Sequence, residues 1–495
     1  MKKLILLVLI STIVIIKLFS QNVSYNDAFK VAENKLTLMG KHYSHGVLSD
    51  VINPPGKNGQ NLFFVFELEP VGYIVVTGRK DLPPVIAYSF EDNFQDETNS
   101  QNPLMDLLVM DIEARVSSTD KMGKEIIERN KLEWKNLLSD NPEKNVLFEQ
   151  WPLEGTTTTG GWLETNWTQN APYKNFCPID PVTSQRSYVG CPATAMAQIV
   201  NYFKTTNETQ FSDADDYYHS YAGRNYWIDD DFEEHDFLSF PKINEYLDSI
   251  AGKYEIAHPL TNDEKAALSF ACGVAANQVY TSEGSGTFGV SQAHDAYMKF
   301  GFAEAVLIDD GDTSLYATIS QNMMDARPCH FAIVNESWTV GHNVVLDGYN
   351  TDEYYHLNFG WGGASNGWYL VPDDNMPYEL SVIEGVVVDI AYPPVFTGFS
   401  NDMKSTGANI HIYPNPAINF ITVVTDMKKG ESVEINIKDS FGRIIYIDRR
   451  NATQVNGRNG FNINLSSVPS LKSGMYILNI ETYDTILIGR FFVGK

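Results

Sequence analysis

Apolar residues Met196, Ile199, Val200 and Phe203 recur at i, i+3, i+4 and i+7, the stripe of a helix that docks in a core. Gly190-Cys191-Pro192 stands just ahead of it and reads as the helix start, since Pro192 pre-sets φ and has no N–H to leave unpaired. The period changes after His342. Val344 and Leu346 fall on one face, Val345 and Asp347 on the other, and Asn350-Thr351-Asp352 then makes a polar turn into a return strand over 353–359. That pattern predicts a hairpin with His342 at its mouth. Nearer the N-terminus, 25–39 reads as an amphipathic helix, and 62–68 and 72–77 read as strands paired across a turn at Pro70. Beyond 408 the chain becomes a run of short alternating strands at 419–424, 433–438, 443–447, 461–465, 475–480 and 485–492. Lys429-Gly430, Asn456-Gly457 and Ser473-Gly474 mark turns between them, a pattern that predicts a small β-sandwich.

The helix start and the hairpin mouth carry candidate chemistry. A cysteine at a helix N-terminus meets unpaired N–H groups and the positive end of the dipole, which lower a thiol from its free pKa of roughly 8.5. The bland alternative is a small buried thiol. His342 lies across the predicted hairpin from 358–361, where the Asn358 side chain or a nearby carbonyl would fix its ring. Phe359 or Trp361 would shield that bond from water. Cys191 and His342 together predict a thiolate–imidazolium pair for nucleophilic catalysis. Their separation of 151 residues (342 − 191) resembles that of papain-like cysteine proteases.

Val189-Gly190-Cys191-Pro192-Ala193-Thr194-Ala195-Met196-Ala197-Gln198, Gly341-His342 and Asn358-Phe359-Gly360-Trp361-Gly362-Gly363 resemble the streptopain family of secreted cysteine proteases. The resemblance covers roughly residues 160 to 392. It implies a papain-like α+β catalytic domain, with Cys191 as nucleophile, His342 as base and no metal or organic cofactor. Trp167-Thr168-Gln169-Asn170-Ala171-Pro172-Tyr173 is similar to the segment that supplies the family's oxyanion glutamine, which makes Gln169 the oxyanion donor. The family often has tryptophan where this chain has Phe359, and the Cys-Trp pair of papain itself is absent. Upstream, Val71-Gly72-Tyr73-Ile74-Val75-Val76-Thr77 with Leu82-Pro83-Pro84-Val85-Ile86-Ala87-Tyr88-Ser89 resembles the inhibitory prodomain of streptopain-like zymogens. At the other end, Ile412-Tyr413-Pro414-Asn415-Pro416-Ala417, Ser473-Gly474-Met475-Tyr476 and Gly489-Arg490-Phe491-Phe492-Val493 resemble the C-terminal sorting domain of type IX secretion.

Charge and composition narrow the partners. A net charge of −26 over 495 residues argues against nucleic acid and against an electrostatic hold on anionic membranes. Residues 409–495 hold 10 Lys+Arg and 7 Asp+Glu, or +3, which leaves −29 for 1–408 and supports a boundary after Pro393-Pro394. Lys2-Lys3 followed by an apolar run to Ile16 has the shape of a signal peptide, and no other segment has the length to span a membrane. Cys177, Cys191, Cys272 and Cys329 make no disulfide scaffold; with Cys191 a free thiol, at most one bridge remains.

The expected order is a signal peptide (1–20), an inhibitory prodomain (21–116), an exposed activation linker (117–160), the protease domain (161–393), a linker (394–408) and the sorting sandwich (409–495). The chain reads as a secreted or cell-surface cysteine endopeptidase made as a zymogen, acting on proteins or peptides and exported by type IX machinery across both membranes. The rival is a non-catalytic adhesin or binding protein on the same scaffold, and a third reading is an amidase or peptide ligase. By resemblance the glycine-rich 282–289 is a loop near the cleft. The acidic run 229–236 reads as a solvated loop and His356 as structural.

Overall fold

The computed structural model describes residues 22–391, apart from 57–60, 95–102, 145–147, 310–311, 313, 335–340 and 372–382, and most of 410–493. The expected signal peptide and the 394–408 linker lie outside the described residues. Two compact units divide between Tyr392 and Pro393.

The first unit is organised by an eleven-stranded antiparallel sheet that passes from the N-terminal module into the catalytic region. Four strands of the module, Gly46–Ile52, Phe63–Glu69, Tyr73–Thr77 and Val85–Ser89, pair in chain order. The last joins Gly367–Tyr369, with Trp368 opposite Tyr88 and Tyr369 opposite Ala87. The sheet continues through Tyr355–Asn358, Gly341–Asn350, Cys329–Val334, Ile383–Val388 and Val306–Asp309. Central strands buried on both faces read as continuous apolar runs, as in Tyr73–Thr77, where every residue is buried.

Helices cover both faces. Tyr25–Leu38 lays Ala28, Val31, Ala32 and Leu36 against the module strands, and Ser24 caps it by accepting from the Asp27 N–H. Cys191–Phe203, Phe240–Glu255, Asn262–Ala275 and Val290–Lys299 build a helical layer. Its core meets the sheet through Ala332, Val345 and Val387.

The expected activation linker is not plain linker. It carries a helix, Lys124–Leu137, whose Trp134 and Leu137 enter the core of the N-terminal module. The Trp134 indole donates to the Leu82 carbonyl and the Asn130 amide to the Asp81 carbonyl. Apolar and aromatic positions at helical spacing outweigh the charged composition that marked the stretch as exposed. Farther on, Gln150–Trp151 pairs with the end of Gly341–Asn350.

The second unit is the expected sandwich. Among the described residues, strands Ile410–Tyr413, Phe420–Thr425, Thr453–Val455 and Arg458–Asn464 form one sheet. Ser432–Lys438, Ile444–Asn451, Gly474–Glu481 and Ile486–Val493 form the other. Ile421, Val423, Phe461 and Ile463 from the first share a core with Ile435, Ile437, Leu478 and Ile480 from the second.

Candidate active site

Helix Cys191–Phe203 begins where the sequence places it, with Cys191 its first residue and Pro192 in its first turn. Gly190 before it has φ 87°, and a Cβ there would stand 2.7 Å from Gln278 Oε1 and 2.9 Å from the Ser285 carbonyl oxygen. Only glycine brings the chain into the helix at that point. The Ser285 contact also sets loop 282–289 against the cysteine. The loop is fastened by Ser282, which donates through its N–H and its hydroxyl to Asp180, itself paired with Arg224 at 2.8 Å.

Strand Gly341–Asn350 supplies the histidine. His342 is buried, and its Nε2 lies 2.9 Å from the Phe359 carbonyl oxygen. A carbonyl only accepts, so Nε2 carries the proton and Nδ1 carries the lone pair of the neutral ring. The Trp361 ring stacks on the imidazole at 4.6 Å and the Phe359 ring lies nearly parallel to it at 6.0 Å. Both expected aromatic positions therefore flank the ring, and the carbonyl, not the Asn358 side chain, holds it. Asn358 was expected to orient His342; instead the register sets it opposite Val345 and turns it toward the nucleophile helix. There its Oδ1 accepts from Gln198 Nε2 and the Gly360 N–H, and its Nδ2 donates to the Thr165 carbonyl.

That turn knits the site together. Gln198, buried in the cysteine's helix, accepts at Oε1 from the Trp167 N–H and the Thr165 hydroxyl. The Val189 N–H donates to the Gln169 carbonyl, the Gly362 N–H donates to the Trp167 carbonyl, and Thr168 bridges Trp361. The segments bearing Gln169, Cys191 and the aromatic pair are thus bonded to one another. Gln169 is half-buried.

Asn343, the residue after His342, reaches toward Cys191. The Asn343 Nδ2 lies 3.9 Å from the Cys191 sulfur, and both its amide and its backbone N–H favour the thiolate. Burial nevertheless pushes the Cys191 thiol up, against the expected depression; desolvation outweighs the helix N-terminus. Burial likewise lowers His342 to about 4, only partly opposed by the Phe359 carbonyl. Both shifts favour the uncharged forms of the two groups. The other three thiols, Cys177, Cys272 and Cys329, are fully buried and free, and burial pushes all of them up.

With that geometry in view, three family models match the chain in succession: Spi protease inhibitor over 20–116, Peptidase C10 family over 167–369, and secretion system C-terminal sorting domain over 411–493. The central domain belongs to the peptidase C10, or streptopain, family. Thiol protease/hemagglutinin PrtT of Porphyromonas gingivalis is 24% identical over 341 residues, 65% of this chain and 35% of its own length. Streptopain of Streptococcus pyogenes serotype M1 is 23% identical over 345 residues, 67% of this chain and 79% of its own. Among solved structures, a fragment of Prevotella intermedia prointerpain A aligns with TM-score 0.46 and 21% identity, over 70% of this chain and 99% of that one.

The inhibitor-like module reaches the histidine's support. The Ser365 N–H and hydroxyl donate to the carbonyls of Asn93 and Phe94, while the Tyr73 hydroxyl donates to those of Ser365 and Asn366. The Asn366 side chain in turn accepts from the Phe359 N–H at 2.9 Å. Beside this contact, His356 pairs with Asp347 at 2.6 Å, both fully enclosed. The Asp347 carboxylate also accepts from the Leu163 N–H, and a Cβ on Gly161 would fall 2.2 Å from it. His356 is structural, as read from the sequence, but its partner was not foreseen. Asn343 and Gln198 were also missed. An asparagine after a histidine and a glutamine on a helix give no local signal of their role, since Asn343 reaches Cys191 and Gln198 reaches Asn358 across more than 100 positions. In the acidic run, Asp229 and Asp231 accept from the Phe240 and Trp227 N–H groups and serve as local caps.

Proposed function

We propose that the chain is a secreted papain-like cysteine endopeptidase held latent by its own N-terminal module. Cys191 is the nucleophile and His342 its base. The Cys191 S–H proton passes to His342 Nδ1 while the sulfur bonds to the scissile carbonyl carbon. The Nε2–H bond to the Phe359 carbonyl stabilises the imidazolium so formed. The Gln169 side-chain amide and the Cys191 backbone N–H hold the oxyanion, worth on the order of 10²-fold or more. Nδ1–H then protonates the departing amine. Water, deprotonated by the same nitrogen, releases the acyl group and restores the thiol.

The observation that carries this reading is the His342–Phe359 carbonyl bond, which fixes the ring with its basic nitrogen free, one residue from the amide that touches the cysteine sulfur. Latency is supported by two links. The N-terminal module continues the catalytic sheet at Val85–Ser89, and it grips the turn that supports Phe359. Removal of the module would free the turn at Ser365 and Asn366 that supports the Phe359 carbonyl's strand end, and with it the seat of His342. The sorting domain, about residues 409–495, is proposed to deliver the enzyme to type IX machinery, with protein or peptide substrates met outside the cell.

Cys191→Ala in the trimmed enzyme tests the mechanism. Peptide hydrolysis is expected to vanish with the fold kept, because one small change at a helix start costs little stability. Undiminished turnover would overturn it.

A further inference from the structure

A second buried histidine stands behind the candidate nucleophile. His330 lies on strand Cys329–Val334, paired across the sheet with the Gly341–Asn350 strand, and is fully buried. Its Nδ1 is 3.1 Å from the Tyr297 hydroxyl, and its Nε2 is 2.7 Å from Asn343 Oδ1. Asn343 Nδ2 then reaches the Cys191 sulfur at 3.9 Å. Three hydrogen bonds link a buried phenol to the thiol.

The direction of this chain follows from its closed end. Tyr297 is fully buried, and His330 is the partner its hydroxyl has. A buried phenol left without an acceptor costs roughly 1–3 kcal/mol, so the O–H donates to Nδ1. Nδ1 therefore carries the lone pair and Nε2 the proton. Nε2–H donates to the Asn343 carbonyl oxygen, and the amide's N–H₂ end is turned toward the sulfur. Burial holds His330 near 4, which keeps the ring in this neutral, one-donor form at physiological pH.

We propose that Asn343 is the amide donor that steadies the Cys191 thiolate, and that Tyr297 and His330 are positioning residues that fix which end of that amide faces the sulfur. This rests on Cys191 being the nucleophile. It adds a donor to the thiolate besides the proposed imidazolium: the Asn343 amide reaches the sulfur directly. A donor hydrogen bond to the charged form lowers the thiol pKa.

The test reads the thiol itself. Cys177, Cys272 and Cys329 are fully buried, so iodoacetamide added to the folded full-length chain reports on Cys191. The midpoint of alkylation rate against pH is measured for wild type, Asn343→Ala, His330→Leu, His330→Gln and Tyr297→Phe, and labelling of the three buried cysteines shows whether each variant is folded. Asn343→Ala and His330→Leu are expected to raise the midpoint by about one pH unit, or about tenfold in rate at pH 7. Tyr297→Phe is expected to raise it less. His330→Gln, which keeps an N–H for Oδ1, is expected to stay near wild type. An unchanged midpoint in folded Asn343→Ala would overturn the proposal, as would a lowered one, which would mean that the amide oxygen faces the thiol. Asn343 is only half-buried and Tyr297→Phe removes one oxygen, so these two decide the matter if the His330 variants unfold. A shifted midpoint in a chain that hydrolyses peptides without Cys191 would sink the nucleophile assignment and leave the relay standing.

Discussion

His342 and His356 occupy opposite ends of one hairpin, both buried, and their surroundings shift their pKa values in opposite directions. His342 has a carbonyl and two aromatic rings around it, so desolvation prevails and its pKa falls to about 4. For His356 desolvation is again the largest influence and acts downward, but Asp347 at 2.6 Å, with Glu91 and Asp92 nearby, reverses the net direction. The proposed base is shifted toward its neutral form, one residue from the amide that reaches the Cys191 sulfur. The histidine bound to Asp347, whose carboxylate also accepts from the Leu163 N–H, is kept paired. Burial alone therefore says little about a histidine; the formal charges within a few ångströms decide its state.

Exchanging the two roles gives the largest expected contrast. His342→Ala should lower peptide turnover by about 10⁴-fold or more while leaving the melting temperature within a few degrees. Asp347→Ala should do the reverse: it leaves His356 buried and unpaired, at roughly 3–5 kcal/mol of stability, with activity per folded molecule retained. Chemical denaturation and steady-state kinetics on both variants check this. Equal loss of activity in the two would erase the distinction.

Activation should depend on where the chain is cut. Helix Lys124–Leu137 is bound to the N-terminal module, so a cut before it leaves that contact in place. Cleavage within the mostly exposed 140–144 is expected to release module and helix together and raise activity, by roughly tenfold or more over a cut near 118–123. Defined protease sites inserted at the two places, followed by a peptidase assay, measure the difference.

A smaller effect follows from the proton balance of the interface. Burial raises Asp92 to about 7, with Glu91 and Asp347 adding to the rise and His356 opposing it. Its folded pKa exceeds the unfolded 3.8, so its contribution is complete below that value and is lost as pH rises through about 7. His356, also raised, loses its contribution in the same direction. His342 has the opposite sign: its depressed pKa costs stability as pH falls from 6.5 toward 4. Asp92→Asn should therefore stabilise the precursor by about 1–2 kcal/mol at pH 8 and have little effect at pH 4. Denaturation midpoints across pH 4–8 reveal it.

Much of this hairpin and its helix was legible in the residues. The stripe from Met196 to Phe203 and Pro192 after the cysteine placed Cys191 at the first turn, and the alternation after His342 placed the strand. The oxyanion candidate rested on resemblance, because nothing in the local pattern around Gln169 sets it apart. Register was not legible. A bulge between Leu346 and Gly348 fixes which residue faces His342, and it turned Asn358 to Gln198 and left the Phe359 carbonyl for the ring. The thiol's state was misjudged for a related reason. A helix N-terminus can be read from sequence, whereas the enclosure that outweighs it depends on the folded surroundings. In 117–160 the signal was present, in Trp134 and Leu137 on the face of Asn130, but charge masked it.

The central claim is that the N-terminal module keeps the cysteine–histidine pair uncharged until it is removed. Alkylation of Cys191 by iodoacetamide, followed from pH 4 to pH 10 in the intact chain and in the enzyme cut after the Lys124–Leu137 helix, tests it most directly. The intact chain is expected to react only as pH approaches the raised range of its half-buried thiol, with little reaction below pH 7. The cut enzyme is expected to react across the acid and neutral range, on a plateau between the pKa values of a thiolate–imidazolium pair. Superimposable profiles before and after cutting would contradict the claim.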